Sequence, residues 1–133
     1  MSTLKEDLKV LAKMTKALNE LPHYTSPIGI VEYKVDHGTC YVKKLFENAS
    51  TTILWSFISD GTKFFPHEHS SNETFVVYRG SLEIWAGNEK LTTLKAISTY
   101  QLAPNIEHYV KAIGDTEVCV VLVPPEEKYP DGE

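Results

Sequence analysis

Residues 61–80 read GTKFFPHEHSSNETFVVYRG and include two of the chain's five histidines, His67 and His69. Side chains two residues apart on a β-strand point to the same face, so these two imidazoles are expected to project together. The SSN at residues 70–72 is typical of a turn, and Glu73 then opens another strand with a carboxylate that can reach the same face. Two imidazoles and a carboxylate are a common ligand set for Fe(II), Mn(II), Zn(II) or Ni(II), so the stretch predicts a divalent metal site.

A fourth ligand has to come from a distant part of the chain, and His108 is the best candidate. It follows Pro104 and Asn105, a pair that favours a tight turn, and asparagine tolerates the left-handed backbone that such a turn can require. Distant strands of a closed barrel face one interior, so the gap in sequence is no obstacle. The other polar candidates are interpreted as solvated surface groups: Glu68, His23 and His37.

The rest of the chain from Ile28 onward has the pattern of a β-protein. Short runs rich in β-branched and aromatic residues alternate with turn residues, which is typical of a sandwich or barrel. Turns are predicted at Gly80 and Gly114, among other positions. The predicted strands are 28–35, 39–47, 50–59, 63–69, 73–79, 81–86, 90–95, 98–103, 107–113 and 117–123.

The N-terminal segment has the pattern of an amphipathic helix. Thr3 and Glu6 fit a capping box, and Pro22 ends the predicted helix. Its apolar stripe consists of Leu4, Leu8, Leu11, Met14, Leu18 and Leu21. We therefore expect a helical extension over residues 1–22 and a single β-domain over 23–133 with an irregular C-terminal tail.

Composition and charge exclude several classes of function. The net charge is -5 and Arg79 is the only arginine, so no nucleic-acid partner is expected. The charged N-terminal segment is not a signal peptide, and no stretch is apolar enough to span a bilayer, which predicts a cytoplasmic protein without a membrane partner. Cys40 and Cys119 lie in apolar runs and are interpreted as core thiols, with a disulfide left open.

These features resemble the motifs of the cupin superfamily. The first cupin motif, G-x5-H-x-H-x3,4-E-x6-G, has every fixed position filled, by Gly61, His67, His69, Glu73 and Gly80. The second motif, G-x5-P-x-G-x2-H-x3-N, is matched in part, because His108 fits while its other fixed positions hold Ile97, Ala103, Asn105 and Ala112. The resemblance covers roughly residues 28–123.

The resemblance implies a mainly β fold, a double-stranded β-helix or jelly-roll barrel; the N-terminal α-helix outside it is predicted from the residue pattern alone. The resemblance also implies one divalent metal ion (Fe, Mn, Ni or Zn) held by His67, His69, Glu73 and His108. Open coordination positions would suit an enzyme acting on a small organic acid or carbonyl compound, foremost a dioxygenase and otherwise an isomerase, lyase or hydrolase of sugar-derived acids. The alternative is a non-catalytic small-ligand-binding or sensor module, since cupins include both.

The candidate substrate-binding residues follow from strand alternation. Counting from Glu73, Phe75 and Val77 should face the interior with the metal. Arg79 has the same parity and could pair with a substrate carboxylate if it turns inward; otherwise it is solvated at the barrel rim. Trp55 and Phe57 are further candidates whose faces the sequence leaves open, as are Tyr41, Trp85 and Tyr109. The helix stripe and the exposed sheet edges also suggest a homodimer.

Overall fold

Antiparallel β-strands make up most of the computed structural model, which describes residues 3–10 and 29–126. Within these residues the strands are β1 (Ile30–Tyr33), β2 (Cys40–Glu47), β3 (Thr52–Ile58), β4 (Asn72–Ala86), β5 (Glu89–Lys95), β6 (Ser98–Leu102) and β7 (Tyr109–Val123). They pair in the order β1-β2-β3-β7-β4-β5. Strand β6 pairs with the first part of β4, Glu73–Val77, and β5 pairs with its later part, Ser81–Ala86. The mainly β, antiparallel fold predicted from the sequence is confirmed.

Strict alternation of side chains places the core on one face of the sheet. In β3, Leu54, Ser56 and Ile58 are buried, whereas Trp55 and Phe57 between them are half-buried on the opposite face. The β-branched and aromatic residues that favour strands therefore supply both the core and an outer apolar surface. The buried core includes Cys40, Val42, Leu54, Ile58, Phe64, Phe75, Val77, Leu82, Ile84, Leu94, Leu102, Val110, Ala112, Val118, Val120 and Leu122.

Strands β4 and β7 are each longer than predicted, because the expected turns at Gly80 and Gly114 lie inside continuous strands. Both glycines have positive φ, 75° and 76°. They belong to an irregularity at which the β4–β7 register shifts on either side of Arg79. A Cβ on Gly80 would collide with the backbone of Asp115, so only glycine fits this close approach. The four strands predicted over 73–86 and 107–123 are in fact two.

The predicted strand over 63–69 is wrong. This segment makes only isolated bridges, from Lys63 to His37 and Lys111 and from His67 to His108. Pro66 lies in its middle and has no N–H to donate to a ladder. The segment is a loop that runs alongside the start of β7, with backbone hydrogen bonds to Val110 and His108, before β4 begins.

The N-terminal helix is described for its first part only. Residues 4–10 are helical, and the amide of Glu6 donates to Thr3 Oγ1 at 3.2 Å, as the capping box predicts. The remainder of the predicted helix, the domain boundary at 22/23, His23 and the tail from residue 127 lie outside the described residues. Among the described residues, no helix has the length and apolar character needed to cross a membrane.

The two cysteines are free thiols in the structure. Cys40 is fully buried in the core, as expected, and burial raises the pKa of its thiol to about 12. Cys119 is half-buried on the outer face of β7, so it is not the core residue that its apolar surroundings in the sequence suggested.

Candidate metal centre

Three imidazoles and one carboxylate converge on the core-facing side of the sheet. One ligand atom from each of His67, His69, Glu73 and His108 can be chosen so that all four lie within 4.8 Å of one another. Glu73 is at the start of β4 and His108 immediately precedes β7, but Glu73 pairs with Leu122 at the far end of β7, so these two side chains meet across the interior and not by direct strand pairing. The loop before β4 supplies the other two.

The backbone of His67 is fixed directly to that of His108. Each residue's amide donates to the other's carbonyl oxygen, both at 2.9 Å. This reciprocal pair holds the loop against the start of β7 and places the two rings 4.4 Å apart. The backbone of His69 is held separately, because its carbonyl accepts from the amide of Asn105 at 2.8 Å, where Asn105 adopts a φ of 64°.

Each histidine ring is oriented by its own Nδ1 atom. Nδ1 of His67, His69 and His108 lies 2.9, 3.3 and 2.7 Å from the backbone carbonyl oxygens of Phe65, Ser71 and Ile106 respectively. A carbonyl oxygen can only accept, so each Nδ1 carries the proton. In the neutral imidazole Nε2 is then a bare lone pair, which is the state that a metal ligand requires.

Glu73 is the charged centre of the cluster. It is 2% exposed, and its Oε1 lies 2.8 Å from His69 Nε2 and 3.2 Å from His108 Nε2. Burial favours the neutral acid, but the hydrogen bonds and charges of the two histidines outweigh it and hold the pKa of Glu73 well below its usual value. The buried carboxylate is therefore ionised and needs positive charge beside it.

Without a metal ion, only a proton can supply that positive charge. His69 Nε2 and Glu73 Oε1 lie 2.8 Å apart, and two such acceptor atoms need a hydrogen between them. Glu73 accordingly raises the pKa of His69, although burial of the imidazole opposes this. Burial and the neighbouring His108 lower the pKa of His67, which favours its neutral, metal-binding form. The donor set therefore fits a divalent ion, which would neutralise the carboxylate and satisfy the imidazole lone pairs at once.

The space beside the cluster is small and apolar. A cavity of about 10 Å³, room for roughly one water molecule, adjoins His67, Glu73 and His108. Its other lining residues are Ser56, Ile58, Phe64, Phe75, Leu82, Val110, Val118 and Val120. Among these, Ser56 alone has a polar side chain.

Residues 54–124 match the family model described as the cupin domain. The chain belongs to the cupin superfamily. No curated protein sequence matches it significantly. The structure is similar to that of KdgF from Halomonas sp. (TM-score 0.62, 18% identity, 73% of this chain and 90% of that one). It is also similar to an RmlC-like cupin from Shewanella frigidimarina (TM-score 0.64, 14% identity, covering 80% and 95%) and to EutQ from Clostridium difficile (TM-score 0.64, 14% identity, covering 76% and 80%).

These likenesses establish the cupin double-stranded β-helix, as predicted from the two motifs. The four ligand positions carried over from the motifs are the four that the structure brings together. The partial match of the second motif does not displace His108, because Asn105 takes the positive φ at the position where the motif has glycine.

The predicted substrate-binding residues divide between the two faces of the cupin sheet. Phe75 lines the cavity beside the cluster, and Val77 is fully buried on the same face. Trp55, Phe57 and Arg79 do not reach the metal cluster; they line an outer groove of about 470 Å³ together with Ile30, Tyr41 and Glu117. Trp85 and Tyr109 stack on each other at 6.1 Å, and neither lines the cavity.

Arg79 points outward because the register shift between Val77 and Arg79 interrupts the alternation of β4 before this residue. Its guanidinium donates to the carboxylate of Glu117 at 3.0 Å, and Trp55 Nε1 donates to the same carboxylate at 3.2 Å. A simple count of two from Glu73 would have placed Arg79 inside. The register shift on both sides of Arg79 invalidates that count.

Apart from the metal-site residues, Phe75 alone among the cavity-lining residues was predicted from the sequence, and two of those missed, Phe64 and Ser56, show why. Phe64 is 4% exposed, lines the cavity and stacks on Tyr33 at 5.4 Å. Had residues 63–69 formed a strand, Phe64 would lie on the face opposite His67, so parity gave no signal for it. Ser56 could have been found, because it shares parity with the core residues Leu54 and Ile58.

Proposed function

We propose that this cupin is a metal-dependent enzyme of dioxygenase type, acting on a small organic acid or carbonyl compound. The observation that carries the proposal is the orientation of the three imidazoles. Each Nδ1 is bound to a backbone carbonyl, so each Nε2 is free to face the buried carboxylate of Glu73. A buried, ionised Glu73 carboxylate is energetically unfavourable without a positive charge beside it, and a divalent cation would supply that charge.

The charge of the ligand set favours an oxygen-bearing anion as substrate. Three neutral imidazoles and one carboxylate around a divalent ion leave a net charge of about +1. A bound metal would supply a Lewis acid and, if redox-active, a site for dioxygen chemistry. Among residues 3–10 and 29–126, none with a cationic side chain lines the cavity, so a substrate carboxylate, enolate or catecholate would have to bind at the metal itself.

The apolar lining supports oxygen chemistry over isomerisation, elimination or hydrolysis. Those reactions need a general acid or base within hydrogen-bonding reach of the substrate. Apart from the four clustered residues, Ser56 is the one polar side chain in the described part of the chain that lines the cavity, and a serine hydroxyl is a poor acid and base at neutral pH. Phe64, Phe75 and the aliphatic residues instead exclude water from the metal position.

The same lack of an acid or base also favours the alternative, a binding or sensor module without turnover. A cavity of about 10 Å³ leaves no room for a whole organic substrate unless side chains such as Phe64 move. A module of this kind would still bind metal, so the two functions differ in turnover and not in metal content. Homodimer formation and the absence of a nucleic-acid partner stay predictions from the sequence.

The first experiment is elemental analysis of the purified wild-type protein and of His67→Ala. We expect about one iron, manganese, nickel or zinc ion per chain, lost in the variant. His37→Ala is the matched control, because His37 is exposed and outside the cluster. A wild-type protein that binds no metal after reloading, or a His67→Ala protein with full occupancy, would overturn the metal centre.

Turnover is tested on the iron-loaded protein. Oxygen consumption is measured with hydroxy acids, keto acids and catechols, with the metal-free protein as the blank. Substrate-dependent oxygen uptake that disappears in His108→Ala would support the dioxygenase. Tight ligand binding with no uptake and no other product would support the binding module instead.

A further inference from the structure

His69 has the weakest Nδ1 contact of the three histidines. Its Nδ1 contact of 3.3 Å is the longest of the three, against 2.9 Å for His67 and 2.7 Å for His108. His67 and His108 are in addition joined by two reciprocal backbone hydrogen bonds. Beyond its Nε2 contact with Glu73, the His69 ring is therefore oriented by the carbonyl group of Ser71.

Ser71 is itself held by residues that follow β7. It is completely buried, and its hydroxyl donates to the carbonyl oxygen of Pro124 at 2.5 Å. The carboxylate of Glu126 lies 3.2 Å from the same hydroxyl oxygen and also accepts from it. One hydroxyl proton is shared between two acceptors, so residues 124–126 fix both the position and the orientation of Ser71.

We propose that residues 124–126 position His69 for metal binding through Ser71, so that the C-terminal segment helps to set the metal affinity of this site. The inference rests on the proposed metal centre and adds a positioning role for residues outside both sequence motifs. Groups that hold a metal ligand by its second nitrogen tune affinity without touching the ion.

The contact path is short, and Ser71 at its centre is fully buried. It runs from the His69 ring to the Ser71 carbonyl, through Ser71 itself to its hydroxyl, and on to the carbonyl of Pro124 and the carboxylate of Glu126. Backbone pairing of Asn72 with Val123 holds the two segments side by side at this point. The carboxylate of Glu126 also adds negative charge near His69, which favours a cation there.

The test is a comparison of metal dissociation constants, measured by competition with a chelator of known affinity. Ser71→Ala removes the donor and is expected to weaken metal binding by about 10- to 100-fold. Ser71→Cys keeps the volume with a weak donor and should give an intermediate loss. Glu126→Gln keeps the size and removes the charge, with an expected loss of about two- to tenfold. Ser70→Ala is the matched control, since Ser70 is an exposed neighbour with the same side chain.

The absorption spectrum of the cobalt-loaded proteins and the melting temperatures of the metal-free proteins separate positioning from general stability. We expect a changed cobalt spectrum in Ser71→Ala and an unchanged one in Ser70→Ala. A Ser71→Ala dissociation constant within twofold of wild type would overturn the inference and leave the metal centre intact. If Ser71→Ala does not fold, the same criterion applies to Ser71→Cys. An affinity loss that only follows a fall in melting temperature would also overturn it, whereas a wild-type protein without metal affinity would remove the proposed function itself.

Discussion

Replacing Phe64 by alanine should open the metal cavity at a large cost in stability while leaving the metal ligands in place. Phe64 is 4% exposed and packs between Tyr33 and the ligand His67, with ring centroids 5.4 and 6.4 Å away. Truncating a buried phenylalanine costs about 3–5 kcal/mol, and loss of the stacked pair adds about 0.5–1.5 kcal/mol. We therefore expect the free energy of unfolding to fall by about 5 kcal/mol.

Phe65 provides the matched control for this prediction, because it is the next residue, has the same side chain and is 46% exposed. Phe65→Ala should lower the free energy of unfolding by about 1 kcal/mol. Urea denaturation of the metal-free proteins gives both values, and chelator competition gives the metal affinity. A Phe64→Ala loss below about 1.5 kcal/mol, or one equal to that of Phe65→Ala, would refute the placement of Phe64 in the cavity wall.

Three further predictions concern the bulge, the cluster and the core. Gly80→Ala should destabilise the protein by more than about 2 kcal/mol, because the added Cβ would collide with backbone atoms. Gly87→Ala should cost only about 1 kcal/mol, because its Cβ would meet no atom within 4 Å and the positive φ alone is unfavourable. Thermal melts compare the two variants. Metal affinity should fall as the pH drops from 8 to 6, because Glu73 raises the pKa of His69 and protons then compete with the ion, and a pH-independent dissociation constant would contradict this. Burial raises the pKa of Cys40 to about 12, so this thiol should stay unreactive toward a disulfide reagent at pH 8 until denaturant is added.

The sequence motifs predicted which four side chains cluster at the candidate metal centre, but the reasoning from strand alternation was partly incorrect. His67 and His69 were expected to share a face because they would alternate along a strand. They lie in a loop instead. They converge because backbone hydrogen bonds hold His67 to His108 and His69 to Asn105. The ligand motif survives this error because it records positions that meet in the fold, whatever local conformation brings them there.

The wall of the cavity was harder to predict than its ligands. Alternation correctly placed Phe75 and Val77 inside, since they follow Glu73 within a regular part of β4. It failed for Arg79, where a bulge intervenes, and for Phe64, which lies in a loop with no periodicity. Contacts between distant segments determine where Arg79 and Phe64 point. A single sequence does not show which glycines form turns and which lie at bulges inside a long strand.

The phase reversal in β4 gives the two spacers of the first motif different tolerances to length change. Between His69 and Glu73 an added residue enlarges a loop, and the carboxylate can still reach the imidazoles. Between Glu73 and Gly80 an inserted residue would move the bulge and exchange the inner and outer faces of everything beyond it, turning Leu82 and Ile84 to solvent. The first spacer can therefore vary between three and four residues because a loop absorbs the change. The second is fixed at six residues because core packing beyond the bulge depends on it.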